Sequence, residues 1–68
     1  MMNIGQNVHN LREKAGKSRR QLAEDVGVTE SMIGQIERGT KSLTIALGKE
    51  IAAALGCNMV ELIKEVDT

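Results

Sequence analysis

Apolar residues recur at steps of three and four along the whole chain, no proline interrupts them, and glycine falls where the runs end. This is the signature of successive amphipathic helices, and no stretch keeps the alternation that a half-buried strand needs. The fold class expected is therefore all-α. Ile4, Val8, Leu11 and Ala15 form the first stripe, entered at Asn3 with Gln6 three residues on and stopped at Gly16. Ser18 with Gln21 has the spacing of a capping box and opens a short second helix burying Leu22, Ala23 and Val26. Gly27 closes it at a position suited to a left-handed backbone. Thr29 is the next N-cap candidate, with Val28 and Ile33 at the spacing of a hydrophobic staple, and the third helix buries Ile33 and Ile36 before stopping at Gly39. A loop over residues 40–42 leads to the most apolar stripe, Leu43, Leu47, Ile51, Ala54 and Leu55, which ends at Gly56. Asn58 with Glu61 caps a fifth helix carrying Met59, Leu62, Ile63 and Val66, and Cys57 stands at staple spacing from Leu62. Gly5, Gly34 and Gly48 fall inside helices, where glycine costs roughly 1 kcal/mol against alanine. By helical spacing Gly34 lies on the outward face of the third helix.

Sixty-eight residues leave room for one domain, so residues 1–68 are read as a single unit. Its apolar residues are nearly all aliphatic, since Phe, Tyr and Trp are absent. That excludes RNA-binding folds and single-strand grooves that stack bases on aromatic rings, and aromatic cages for methylated lysine. A single Cys excludes a disulfide framework, and one His with one Cys cannot assemble a structural zinc site. No run approaches the roughly 20 apolar residues of a membrane span, and the opening MMNIGQNVHN lacks the basic and apolar regions of a signal peptide. A cytoplasmic protein without cofactor, metal, membrane partner or evident small-molecule substrate is expected. Paired catalytic carboxylates and phosphate-binding loops are also missing, which argues against an enzyme. His9, one turn from Glu13, reads as a surface residue, Cys57 as a small apolar side chain, and Met32 as core or interface filler.

Charge is balanced in sum but not in place. Nine basic and nine acidic side chains cancel; residues 1–41 hold seven basic and five acidic, residues 42–68 two basic and four acidic. The densest basic stretch runs from Arg12 to Arg20, with Glu13 alone opposing it. A polarised surface of this kind can turn one face toward phosphate.

Residues 19–38, RRQLAEDVGVTESMIGQIER, carry the most specific pattern. Two short helices are joined by a glycine turn, the second has a polar outer face, and Leu22, Ala23, Val26, Val28, Ile33 and Ile36 are apolar where the pair must pack. That is the helix-turn-helix arrangement. With Leu11 and Arg12 ahead of it, Ile36, Glu37, Arg38 and Gly39 at its end, and the run from Ile51 to Gly56 before Leu62, the chain resembles the Cro/repressor-like, XRE-type helix-turn-helix transcription regulators from about Ile4 to Ile63. The resemblance implies a compact five-helix, lambda-repressor-like DNA-binding domain with its motif at the second and third helices. It also implies that Arg12 and Glu37 form a structural ion pair.

In such domains the second helix of the motif lies in the major groove with its N-terminal residues against base edges. The outward positions, Glu30, Ser31, Gly34, Gln35 and Arg38, are the candidate base readers: Gln35 suits adenine, Ser31 either base, Glu30 a cytosine amino group, and Gly34 allows close approach. Ser18, Arg19 and Thr29, at helix N-termini, and Thr40, Lys41, Ser42 and Thr44, beyond the third helix, are candidate phosphate contacts. The chain departs from the family at Lys17, where an apolar residue is usual, at Arg19, where Gln is frequent, at Leu43, where Pro is frequent, and at Glu30, whose carboxylate phosphate repels. The expected partners are double-stranded DNA and a second copy of the chain. The expected function is a sequence-specific regulator, a repressor holding its operator as a homodimer through Met59, Ile63 and Val66. The alternative is a protein-binding adaptor, such as an antitoxin-like partner, on the same fold, which zero net charge and Glu30 favour.

Overall fold

The computed structural model describes residues 4–63. Within them the chain forms five helices: α1 (Ile4–Lys14), α2 (Arg19–Val26), α3 (Glu30–Arg38), α4 (Ile45–Leu55) and α5 (Met59–Ile63). The described residues contain no strand.

Local chemistry sets the helix ends. The Ser18 hydroxyl accepts the Gln21 amide at 3.0 Å while the Gln21 side chain accepts the Ser18 amide at 2.8 Å, so the capping box is complete. Thr29 caps α3 through the Met32 amide, and Asn58 opens α5 through the Glu61 amide. At the far end of α2, Gly27 adopts φ +75°, a conformation costly for a residue with a Cβ. Its turn lets the Val28 amide reach back to the Ala23 carbonyl at 3.0 Å. The first, third and fourth helices end on the same device.

Val8, Leu22, Ala23, Ile33, Ile36, Leu47, Ile51, Ala52 and Leu62 make one core drawn from all five helices. Helix α3 packs on α1 and α2, and α5 rests on α1 and α4. Five residues are far too few to hold a helix by propensity, so α5 depends on the fully buried Leu62 and on Asn7 of α1, whose Nδ2 donates to the Leu62 carbonyl at 2.8 Å.

Two expectations, on Ala15 and Leu43, need correction, and Gly5, inside α1 as expected, gains a role. Ala15 lies exposed in the turn after α1, because the helix ends one residue before the stripe does. Leu43 precedes α4 instead of opening its stripe: Thr44 is the N-cap, its hydroxyl accepting the Leu47 amide at 3.1 Å, and Leu43 folds back toward Gly48. Gly5 is a site of close helix crossing. A methyl group there would lie 2.5 Å from the Ile36 carbonyl oxygen and 2.6 Å from that of Glu37, so α1 reaches α3 only because the side chain is absent.

Candidate nucleic-acid interface

Helices α2 and α3, joined by Gly27, Val28 and Thr29, stand as a helix-turn-helix, with the apolar sides of both in the core. On the outer side of α3, Glu30, Ser31, Gln35 and Arg38 are exposed. Gly34 shares this face but is not open on it. It is buried, because the Arg38 side chain bends back over it, and a methyl group at Gly34 would sit 3.2 Å from Arg38 Nη1. The glycine thus leaves room for an arginine of its own helix. Arg19, Glu30, Ser31, Gly34 and Arg38 line one shallow cleft across this face.

The hydroxyl residues frame it. Ser18, Thr29 and Thr44 are the N-caps of α2, α3 and α4, each hydroxyl oxygen accepting a backbone amide of its own helix. A hydroxyl that accepts in this way keeps its hydrogen to donate, and helix N-termini favour anions. All three are exposed. Thr40 Oγ1 donates to the Gln35 carbonyl at 3.2 Å, and Thr40, Lys41 and Ser42 are all exposed in the α3–α4 connection.

Behind this face, Arg12 and Glu37 tie α1 to the end of α3. Arg12 Nε meets Glu37 Oε2 at 2.6 Å and Nη2 meets Oε1 at 3.3 Å, with Arg12 Nη1 donating to the Lys17 carbonyl at 2.8 Å. Both side chains are buried. Burial pushes the Glu37 carboxyl up, but hydrogen bonds from Arg12, Arg19 and His9, with the Arg12 charge, outweigh it and hold the group below its ordinary value. In return the Glu37 hydrogen bond raises the Arg12 guanidinium above its own.

Two of those donors were invisible to sequence reasoning. Arg19 Nε donates to Glu37 Oε1 at 3.0 Å, and His9 Nδ1 lies 3.2 Å from the same oxygen. His9, expected at the surface and 37% exposed at its side chain, is therefore also part of the ion-pair cluster. Lys17, the departure ahead of α2, reaches Asp25 at 2.6 Å and the Ala54 carbonyl at 2.9 Å. Its charge thus sits at the carbonyl ends of α2 and α4, where helix dipoles favour a cation.

Of the expected dimer residues, Met59 is half-buried against the core, with its thioether over Gly48. Ile63 is 40% exposed, and Val66 lies outside the described residues. The structure adds Val60, one turn from Ile63 and 63% exposed, and Ile45 at the start of α4. Cys57 packs against the core, and burial, then the nearby Glu61 carboxylate, push its thiol up, away from thiolate chemistry. Among the described residues no cluster of His, Cys, Asp and Glu could hold a metal ion, and no helix is long and apolar enough to cross a membrane.

A polar recognition helix held by a glycine turn and packed on α1 and α2, in a five-helix domain, defines a helix-turn-helix domain of the lambda-repressor-like class. The Helix-turn-helix family model matches residues 8–62, and the chain belongs to that family. An uncharacterised HTH-type transcriptional regulator of Sinorhizobium fredii, y4dJ, is 30% identical over 94% of this chain and 83% of its own length. The crystal structure of an HTH_3 family transcriptional regulator from Vibrio cholerae superposes with a TM-score of 0.82 at 38% identity, over 88% of this chain but only 34% of that one. The master regulator for biofilm formation SinR, solved in complex with DNA, gives 0.81 at 32% identity over 87% of this chain and 95% of its own. These relatives are transcription regulators, not enzymes.

Proposed function

We propose that the protein is a sequence-specific double-stranded DNA-binding transcriptional regulator, a cytoplasmic repressor that occupies its operator as a homodimer. The observation that carries this reading is the exposed face of α3. Glu30, Ser31, Gln35 and Arg38 stand outward on a helix short enough to enter a major groove, flanked by the N-termini of α2 and α4. In this arrangement Gln35 and Ser31 read base edges, Glu30 accepts from a cytosine amino group, and Arg38 pairs with guanine. Ser18, Arg19, Thr29, Lys41, Ser42 and Thr44 hold phosphates on either side. That SinR was solved with DNA supports the same use of the face here.

A dimer follows from size. The described residues measure 31 Å at their longest, less than the roughly 34 Å between half-sites one helical turn apart. One copy reads too little sequence to be selective, and Val60 and Ile63 on α5 are the exposed apolar residues through which two copies join.

The test is binding of the full chain to duplex DNA over a salt series, followed by sequencing of genomic fragments that it selects. Affinity for random duplex should fall steeply with salt as counterions are released, and the selected fragments should share an inverted repeat. The second reading, a protein-binding adaptor, draws on exposed Glu30 at the first turn of α3, and salt-independent or absent duplex binding would favour it.

A further inference from the structure

Arg19 has two ends in different environments. Its Nε donates to Glu37, whose side chain is 3% exposed, while its own side chain is 43% exposed. Among the described residues its terminal amino groups have no hydrogen-bond partner. The side chain belongs to the first residue of α2, directly after the capping Ser18, and borders the cleft shared with Glu30, Ser31, Gly34 and Arg38. We propose that Glu37 is a positioning residue for DNA binding: through Arg19 it holds a guanidinium at the α2 N-terminus with both terminal amino groups presented to a DNA phosphate. The inference rests on the DNA-binding reading above.

The chemistry favours arginine at this place. A guanidinium is a rigid plane, so fixing Nε on one side fixes the direction of the two amino groups on the other, which match a phosphate bidentately. A lysine has a single ammonium, which cannot face the buried carboxylate and a phosphate along opposite edges. Binding then avoids most of the ordering that a free side chain would undergo, worth about two- to tenfold in affinity. Glu37 is itself held, since Arg12 takes Oε2 and His9 and Arg12 share Oε1 with Arg19. The ion pair that joins α1 to α3 thereby extends to the DNA-facing surface.

The experiment measures equilibrium binding of the full chain to a random-sequence DNA duplex over a salt series. It compares the unsubstituted protein, Arg19→Gln, Arg19→Lys, Glu37→Gln and the double variant, each at a temperature where its melt shows it folded. Arg19→Gln should flatten the log–log salt slope by about 0.9, one phosphate. Arg19→Lys should keep the slope yet bind about two- to tenfold more weakly. Glu37→Gln should weaken binding by a similar factor with Arg19 present and have no further effect on the Arg19→Gln background. Arg19→Lys binding as tightly as the unsubstituted chain overturns the proposal, as does Glu37→Gln weakening both backgrounds equally. If Glu37→Gln does not fold, the two Arg19 variants decide. An unsubstituted chain without salt-dependent duplex binding defeats the DNA reading itself, whereas intact binding with unaltered Arg19 variants defeats only this inference.

Discussion

Gly5 and Gly34 are both helical glycines, yet substitution should move stability in opposite directions. Alanine gains roughly 1 kcal/mol in helix propensity at either site. At Gly5 the new methyl meets backbone oxygens that cannot move without shifting a helix, and overpacking of that kind costs about 1–3 kcal/mol. At Gly34 it meets the end of the Arg38 side chain, which can swing away. Chemical denaturation should find Gly5→Ala destabilised and Gly34→Ala stabilised by about 0.5–1 kcal/mol; a stabilised Gly5→Ala would contradict the close crossing. Glu37 makes a prediction on pH. Its folded carboxyl lies below the ordinary value, so its contribution to stability is complete above about pH 4.3 and is lost as the pH falls through the folded value. Glu37→Gln should cost about 3–5 kcal/mol at neutral pH by stranding Arg12, and its melting temperature should fall less steeply than that of the unsubstituted chain below about pH 4.3.

Helix α5 has one turn of its own hydrogen bonding and so exists by attachment. Leu62 supplies the buried contact, and Asn7 supplies the donor for its carbonyl. Asn7→Ala leaves a carbonyl near the core without that donor, a loss of about 1–3 kcal/mol. Amide exchange should show the effect concentrated in α5, with α2 and α3 keeping their protection relative to one another; uniform loss through all five helices would mean that α5 does not open on its own. The motif helices are secured differently, each by a hydroxyl cap at one end and a left-handed glycine at the other.

For the assembled protein, the proposed dimer gives the clearest prediction. Val60 and Ile63 are exposed on one side of α5, so charging them should leave the fold within about 0.5 kcal/mol while preventing association. Sedimentation of Val60→Glu with Ile63→Glu should show a monomer with an unchanged melt and weaker operator binding. A protein that stays dimeric with both substitutions joins through another surface. Concentrations are best followed by refractive index, since Trp and Tyr are absent.

How much was legible in the sequence divides by distance along the chain. Helix number, the capping box at Ser18 and Gln21, the Thr29 cap and the glycine stops involve residues within five positions of each other, and a helix repeats every 3.6 residues, so the sequence by itself determined them. The outward set Glu30, Ser31, Gln35 and Arg38 followed from the same periodicity. The burial of Gly34 did not, because it depends on which way the Arg38 side chain folds. The tertiary structure alone decided the contacts made where helices cross: Gly5 under the end of α3, Asn7 to Leu62 across 55 positions, and Arg19 to Glu37 across 18. Arginine at position 19 reads locally as a solvated charge. Only the crossing of α2 and α3 brings a buried carboxylate within 3.0 Å of it, because side-chain reach, unlike helical periodicity, acts through space and carries no mark in the order of residues.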